Sequence, residues 1–270
     1  MAPPQVPERI LPTDEPQRTL RVATYNIHNG VHGVGPAKRL EIHNLQQAIQ
    51  QLDADIVCLQ EVRKMNRQGE RRFANWPQQG QADFLKPQGY HALYMTNAVT
   101  KHGEHGNALL SRFEVVRHKH EDMSDHRFEQ RGLLHGEVKL QGKPVHVIVV
   151  HLGLIAASRV RQIRQLQEFI DREIGWNEPL LVAGDFNDWG KQLVPIMAEC
   201  GLHSECQSAA HFTYPARLPL AQLDHVYSRG LHRVRQFVPQ LDSAVRNTGI
   251  RSWSRLSDHL PLVAEFELDR

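Results

Sequence analysis

Short, continuously apolar segments recur along this chain of 270 residues, and they restrict its fold more than any other feature. Inside Asp55–Gln60 and Pro179–Ala183, apolar side chains occupy successive positions instead of alternating with polar ones. A strand of this kind is covered on both faces, so it belongs inside a layered structure. Together with the alternating segments, these patterns predict strands at Thr19–Asn26, Asp55–Gln60, His91–Thr96, Asn107–Ser111, Glu114–Lys119, Gly132–Leu140, Pro144–Leu152, Pro179–Ala183, Gln222–Ser228 and Leu260–Leu268.

Amphipathic helices are predicted on both sides of the strand-rich middle of the chain. Lys38–Leu52 and Ser158–Ile174 each place their apolar residues on one stripe, and Leu193–Cys200 is predicted as a short helix. Between Asn107 and Leu152, strands follow one another without an intervening helix. This order favours an α+β fold with antiparallel or mixed sheets and outer helices over a doubly wound parallel sheet.

Two segments lack the periodicity of regular structure. Residues 1–18 are rich in proline and are predicted to form a disordered tail, which leaves residues 19–270 as one domain. Residues 63–105 are polar and are predicted to be irregular, apart from the strand at His91–Thr96. Segments of this length without regular structure are uncommon inside a domain and are often functional.

The composition excludes several classes of protein. The net charge is 32 − 30 = +2, which gives no strong global attraction to nucleic acid or to an anionic membrane. No apolar run approaches the roughly 20 residues that a membrane span needs, so no transmembrane segment is predicted. Three cysteines without a CxxC pair, and an N-terminus without an apolar signal region, predict a reduced, cytoplasmic protein. No protein partner is predicted.

Polar residues that suit catalysis or metal binding stand at the ends of the predicted strands. Carboxylate and amide oxygens favour Mg²⁺, Mn²⁺ or Ca²⁺ over a structural zinc ion. Each residue also has an ordinary interpretation: Glu61 as an exposed acid, Asp185 and Asn187 as an Asx-turn, or His151 as a half-buried histidine. Chance does not account for their shared position at strand ends. The candidates are Asn26, Glu61, His151, Asp185, Asn187, Asp224, Asp258 and His259.

These residues stand within short sequence motifs that resemble those of the endonuclease/exonuclease/phosphatase superfamily, which includes enzymes similar to deoxyribonuclease I and exonuclease III. The resemblance covers residues 20–268, and its most specific motifs are Gly184–Asn187 and Ser257–Pro261. It implies a four-layer sandwich of two packed mixed sheets flanked by helices, with the active site at one end. The motifs are Thr24–His28, Leu59–Val62, Gly106–Arg112, Val150–Leu152, Gly184–Asp188, Leu223–Val226 and Ser257–Pro261.

The resemblance also implies a role for each candidate. Glu61 would be the principal ligand of Mg²⁺ or Mn²⁺, with Asn26 beside it and Asp258 close enough to help. Asp185 would align and deprotonate the attacking water, and Asn187 would orient Asp185 or the phosphate. His259, paired with Asp224, would donate to the phosphoryl oxygens. His151 would donate a second hydrogen bond or protonate the leaving group.

Four further assignments lie outside this set of roles. Arg131 is predicted to bind phosphate, with a solvated loop arginine as the alternative, and Asn107 is predicted to help order the phosphate site. Tyr214 lines the substrate groove or packs in the interior. The histidines between His91 and His151 allow a second metal site, which the lack of cysteine partners disfavours.

The predicted function is metal-dependent hydrolysis of a phosphate ester. A phosphodiesterase acting on nucleic acid or phospholipid is the first hypothesis, since basic clusters at 63–72 and 246–255 suit an anionic substrate. Aromatic residues at 73–95 would serve a lipid hydrolase or simply pack. The alternatives are a phosphomonoesterase acting on a small molecule or inositol phosphate, and a non-catalytic binding module on the same fold.

Overall fold

Two mixed β-sheets pack face to face in the computed structural model, which describes residues 19–204, 211–241, 250 and 252–267. The predicted tail at 1–18 lies outside the described residues. The strands are β1 Thr19–Asn26, β2 Val31–His32, β3 Arg39–Leu40, β4 Ile56–Asn66, β5 His91–Thr100, β6 Gly103–Ser111, β7 Val115–Asp122, β8 Gly132–Leu140, β9 Lys143–His151, β10 Leu180–Asp185, β11 Asp224–Arg229, β12 His232–Phe237 and β13 Leu262–Glu267. The helices are α1 Ile42–Gln51, α2 Arg67–Arg72, α3 Gln81–Leu85, α4 Ala156–Glu173 and α5 Val194–Glu199.

Each large sheet contains one parallel pair among antiparallel neighbours. The six-stranded sheet has the order β12-β13-β1-β4-β6-β5, and only β1 and β4 run parallel in it. The five-stranded sheet has the order β11-β10-β9-β8-β7, with β9 and β10 parallel. Because parallel strands end at the same edge of a sheet, β1 with β4 and β9 with β10 bring their polar residues together. β2 and β3 form a separate two-stranded ladder.

Three apolar layers hold the sheets and helices together. The inner layer joins residues of both sheets, such as Val22 of β1 and Val149 of β9. A second layer packs α1 against the outer face of the six-stranded sheet, and a third packs α4 against the five-stranded sheet. The order helix, sheet, sheet, helix confirms the predicted four-layer α+β sandwich. None of the described helices combines the length and the hydropathy needed to cross a membrane.

The expectation of an irregular segment at 63–105 is wrong for most of its length. β4 continues to Asn66, β5 extends to Thr100, and β6 begins at Gly103, with α2 and α3 between β4 and β5. The paired extensions of β4 and β6 are rich in charged residues, because both faces of this ribbon are partly solvated. Without a buried face, a strand shows no alternation from which it can be predicted.

Candidate active site

The predicted site residues converge on one cavity at the end of the sandwich where β1, β9 and β10 end. The cavity has a volume of about 390 Å³. Eight of the ten predicted residues line it, Asp224 lies behind His259, and Asn107 lies elsewhere. The eight are Asn26, Glu61, Arg131, His151, Asp185, Asn187, Asp258 and His259.

Glu61 is aimed at the cavity by an irregularity in β4. The pairing of β4 with β6 shifts between Leu59 and Val62, and Glu61 has a positive φ of 57°. A bulge of this kind redirects a side chain. The Glu61 carboxylate accepts hydrogen bonds from Asn29 Nδ2 at 2.8 Å and Asn26 Nδ2 at 3.3 Å.

Strained backbone conformations are concentrated around this cavity. Among the described non-glycine residues with positive φ, four line it: His28, Asn29, Glu61 and Asn187. A left-handed backbone conformation costs an ordinary L-residue roughly 1 kcal/mol, and it costs Asn and Asp less than that. Such strain persists where the surrounding structure enforces it, and it gathers at functional sites.

Asp185 occupies the centre of the cavity wall. Its carboxylate accepts from the Asn26 amide at 3.1 Å and from the backbone N–H of Asn187 at 3.0 Å. The latter contact is the predicted Asx-turn, which here coexists with a place in the site. Burial raises the pKa of Asp185 to about 6, against the opposing charge of His259. The preceding Gly184 is required sterically, because a Cβ there would lie 1.9 Å from the Val150 carbonyl oxygen.

His259 is bound to Asp224 on one side and faces Asp185 on the other. Its Nδ1 donates to Asp224 Oδ2 at 2.8 Å, and its Nε2 lies 3.6 Å from Asp185 Oδ2. Burial alone would lower the pKa of His259, but the negative charges of Asp224 and Asp185 outweigh it and raise the pKa to about 10. His259 is therefore an imidazolium at neutral pH, with its Nε2–H directed into the cavity.

His151 lies on the other side of Asp185 and differs in charge. Its Nε2 is 3.6 Å from Asp185 Oδ2. Burial, together with the nearby charges of Arg131 and His259, lowers the pKa of His151 well below its ordinary value. A neutral and a charged imidazole thus flank one carboxylate.

Arg131 is held in place rather than solvated, so its alternative interpretation as a solvated loop arginine is wrong. Its side chain is 13% exposed and donates from Nε to the Leu152 carbonyl and from Nη2 to Glu129 Oε1 at 2.9 Å. Asn187 donates to the same Leu152 carbonyl at 3.0 Å. The guanidinium borders the cavity with part of its charge balanced by Glu129.

Asp258 and His28 face each other on the Glu61 side of the cavity. His28 Nδ1 lies 3.3 Å from Asp258 Oδ1 and 3.8 Å from Glu61 Oε2. Burial raises the pKa of Asp258, but the hydrogen bond and charge of His28 outweigh it and bring the pKa to about 2. The hydrogen bond to Asp258 in turn raises the pKa of His28.

Sequence reasoning assigned no role to His28, Asn29 and His105, which also line the cavity. It placed Arg63, a fourth lining residue, only in the basic cluster at 63–72. Arg63 Nε donates to Asn29 Oδ1 at 2.7 Å, and Asn29 in turn holds Glu61. His28 stands inside a quoted motif, but its orientation depends on the short 3-10 turn at His28–Gly30. No periodic pattern in the sequence signals that turn.

Asn107 does not line the cavity, and this departs from its expected place at the phosphate site. It is fully buried, and its amide donates to the carbonyls of Gly132 at 2.9 Å and Val149 at 3.2 Å. It therefore joins β6 of one sheet to the start of β8 and to β9 of the other. The physical reason is that Asn107 points between the sheets, where its buried amide satisfies its hydrogen-bonding need by donating to carbonyls of the other sheet.

Tyr214 combines the two roles that were left open for it. It lines the cavity, and its ring packs 4.9 Å from that of His259, between centroids. Trp189 packs edge-on against Tyr214 at 5.6 Å and is 59% exposed at the mouth. An aromatic wall thus rises from His259 to the surface.

One cluster in the described part of the chain has the compact arrangement of possible metal ligands. It consists of Asp185, Asp224 and His259, whose ligand atoms lie within 4.8 Å of one another. The histidines between His91 and His151 form no such cluster among the described residues. The region therefore gives no support to a second metal site built from those histidines.

Two sequence comparisons connect the chain to known proteins. The model of the Endonuclease/Exonuclease/phosphatase family matches residues 23–259. The Escherichia coli K12 protein named as the uncharacterized protein YbhP is 36% identical over 266 residues, which cover 96% of this chain and 100% of that protein.

Solved structures show the same fold at low sequence identity. An endonuclease/exonuclease/phosphatase from Beutenbergia cavernae superposes with a TM-score of 0.71 at 21% identity, covering 93% of this chain and 72% of that one. The mannosyl-6-phosphatase of Bacteroides thetaiotaomicron superposes with a TM-score of 0.65 at 20% identity, covering 92% and 100%.

Proposed function

The chain belongs to the endonuclease/exonuclease/phosphatase family, whose members hydrolyse phosphate esters, and on this premise we propose that it is a Mg²⁺- or Mn²⁺-dependent phosphodiesterase. The observation that carries the proposal is the position of Asp185. It stands between two imidazoles and is joined through Asn26 to Glu61 across the same cavity. A base, hydrogen-bond donors and oxygen ligands are thereby gathered around one space.

The residues on the Glu61 side fit a hard divalent cation. Glu61, Asp258 and Asn26 offer oxygen atoms, and the first two both lie within 4 Å of the His28 ring. The cluster of Asp185, Asp224 and His259 is a poorer site, because a metal ion there would displace the proton that His259 holds strongly. When bound, the metal ion supplies neutralisation of charge on the phosphate and leaving oxygens.

Asp185 is the general base in this proposal. Its raised pKa of about 6 makes it a better proton acceptor than an ordinary carboxylate, yet it remains ionised at neutral pH. Asn26 and the Asn187 backbone fix its orientation. It can therefore align a water molecule and take its proton as that water attacks phosphorus.

The two histidines divide the remaining work. The His259 imidazolium, fixed by Asp224, donates to the phosphoryl oxygens, whose negative charge it stabilises. The lowered pKa of His151 favours its role as a neutral hydrogen-bond donor over protonation of the leaving group. Asn187, bound to the Leu152 carbonyl, keeps Asp185 and the neighbouring loop in place.

A diester suits the charge and shape of the cavity. Arg131 is paired with Glu129, which moderates the positive charge available to a dianionic monoester. The mouth is open beside Leu154, which is 66% exposed, so a second ester substituent has room. The phosphomonoesterase alternative rests on the structural similarity to the Bacteroides mannosyl-6-phosphatase. The cytoplasmic location remains a prediction.

Hydrolysis of bis(p-nitrophenyl) phosphate tests the proposal. We expect turnover with Mg²⁺ or Mn²⁺, none with EDTA, and a loss of about 10²–10⁴-fold in Asp185→Asn, because the base is removed while the shape is kept. Asp171→Asn, on the exposed face of α4, is the matched control and is expected to keep wild-type turnover.

Three outcomes would contradict this assignment. Equal turnover in EDTA would exclude the metal-dependent mechanism. Hydrolysis of p-nitrophenyl phosphate alone would replace the diesterase by the monoesterase. Turnover of neither ester by a folded protein would favour the non-catalytic binding module.

A further inference from the structure

Exposed apolar side chains stand on loops that line or adjoin the mouth of the active-site cavity. Four loops carry them: residues 127–129, 154–155, 189–191 and 214–220. Phe128 is 81% exposed, and Leu218 and Leu220 are 66% and 67% exposed. We call this feature the apolar rim; it consists of Phe128, Leu154, Ile155, Trp189, Leu218 and Leu220.

The apolar rim is continuous with the catalytic residues. Leu154 and Trp189 line the cavity, and the backbone N–H of Leu154 donates to Glu129 at 3.1 Å. On the other side, the N–H of Leu220 donates to the Tyr214 carbonyl at 2.9 Å, and the Tyr214 ring packs against His259. A phosphate bound at the catalytic residues would thus have an apolar border.

The charges of the same four loops are sorted by sign. The exposed charged residues are Arg127, Lys191 and Arg217. The one acid of these loops, Glu129, is bound to Arg131, and Asp188, directly before the third loop, is 2% exposed and accepts backbone N–H groups. The rim therefore offers only positive charge together with its apolar surface.

We propose that the apolar rim binds the surface of an anionic lipid bilayer and that the enzyme hydrolyses a phospholipid headgroup presented there; this substrate class rests on the proposed function. Aliphatic and aromatic side chains gain by burial at the boundary of headgroups and acyl chains, and Arg and Lys beside them contact anionic headgroups. Nucleic acid fits less well, because only Phe128 and Trp189 of the six rim residues offer a ring on which a base would stack, and the other four are aliphatic.

Sedimentation with lipid vesicles tests the binding surface separately from catalysis. The vesicles contain phosphatidylcholine alone, or phosphatidylcholine and phosphatidylglycerol in equal amounts. The rim variant is Phe128→Ser/Leu218→Ser/Leu220→Ser. The matched control is Trp176→Ser/Val116→Ser/Val234→Ser, which removes one aromatic and two aliphatic exposed residues at the opposite end of the sandwich.

We expect the wild-type protein and the control to bind the anionic vesicles, and the rim variant to bind at least about tenfold more weakly. Arg127→Gln/Lys191→Gln/Arg217→Gln is expected to lose a similar factor on anionic vesicles and little on phosphatidylcholine. Hydrolysis of bis(p-nitrophenyl) phosphate, a soluble substrate, should be unchanged in the rim variant, since none of its three positions lines the cavity.

Four results would overturn the inference. The first is that the wild-type protein does not bind anionic vesicles, and the second is that the rim variant binds them equally well. The third is that the rim residues are needed to bind a single-stranded oligonucleotide instead of vesicles. The fourth is that size-exclusion chromatography shows a dimer that the rim variant does not form. A further outcome separates the two proposals: the rim binds vesicles, but the protein does not hydrolyse bis(p-nitrophenyl) phosphate. That outcome would contradict the proposed function and the hydrolysis of a headgroup. It would support the proposal that the rim binds a membrane.

Discussion

At the scale of single residues, the site depends on conformations that most side chains avoid. Glu61 and Asn187 carry their functional groups on backbones with φ of 57° and 49°. Asn adopts this region readily, but Glu does not, so the fold holds Glu61 there at a cost of roughly 1 kcal/mol. Its contacts with Asn29 and Asn26 keep the carboxylate in the cavity. Function, rather than stability, explains a glutamate at this position.

Two substitutions at Glu61 separate the backbone from the carboxylate. Glu61→Gly and Glu61→Ala both remove the carboxylate and are expected to lower turnover by at least about 10²-fold. Glycine tolerates φ of 57° without a Cβ clash, so Glu61→Gly is expected to be more stable than Glu61→Ala by roughly 1 kcal/mol. Urea denaturation of the two variants measures the difference. Equal stabilities would show that the backbone relaxes and stores no strain.

At the scale of elements, covered strands were predictable and the exposed ribbon was not. β1 has its predicted bounds, Thr19–Asn26, because one apolar face and a final Asn mark it clearly. α1 was predicted from Lys38 but begins at Ile42, since Arg39 and Leu40 pair with Val31 and His32 instead. That pairing spans two-residue strands, which are too short to show a periodicity from which they can be predicted.

The same limit applies to the site. The strand-end acids were identifiable from their motifs, and His225 was correctly expected to point away from Asp224: its ring packs in the core against Phe186. The roles of Asn29 and Arg63 were not identifiable, since they follow from a tight turn meeting β4. The aromatic residues at 73–95, which the sequence offered as a lipid-binding surface, are partly or fully buried. The apolar rim was not predictable, because it consists of loop residues whose exposure only the fold determines.

β8 and β9 carry a buried histidine pair that makes stability depend on pH. His135 and His146 are 0% and 1% exposed, and His135 Nε2 lies 3.0 Å from His146 Nδ1. Burial, with the charge of His146, lowers the pKa of His135 to about 3. The unfolded chain binds a proton near pH 6.5 and the folded chain does not. The contribution of His135 is therefore complete above about pH 6.5 and is lost as pH falls toward 3.

From pH 7 to pH 5, we expect protonation of unfolded His135 alone to remove about 2 kcal/mol of stability. His135→Gln keeps a polar partner for His146 but has no group that titrates at position 135. From pH 7 to pH 5, its free energy of unfolding should therefore fall by about 2 kcal/mol less than that of the wild type. Urea unfolding at both pH values measures it, and His232→Gln, at an exposed position of β12, is the control. Parallel pH dependences in wild type and His135→Gln would contradict the assignment.

At the scale of the whole molecule, the active site is a joint between two sheets. Asn26 belongs to the six-stranded sheet and Asp185 to the five-stranded sheet, and their side chains meet at 3.1 Å. The distance between the proposed metal ligands and the proposed base is consequently set by how the sheets pack. Asn107 lies behind this joint and bonds β6 to Gly132 and to Val149 of β9. Its conformation makes it a brace between the sheets.

Asn107→Ala decides between this structural role and the phosphate contact predicted from the sequence. Removing the amide removes two buried hydrogen bonds between the sheets, so the free energy of unfolding is expected to fall by about 1–3 kcal/mol. The KM for bis(p-nitrophenyl) phosphate should not change at temperatures where the variant is folded, because Asn107 does not line the cavity. Asn75→Ala, an exposed amide, is the control for both measurements. If Asn107→Ala instead raised KM and kept the stability of the wild type, Asn107 would contact the phosphate, as predicted from the sequence. Its hydrogen bonds between the sheets would then contribute nothing measurable to stability.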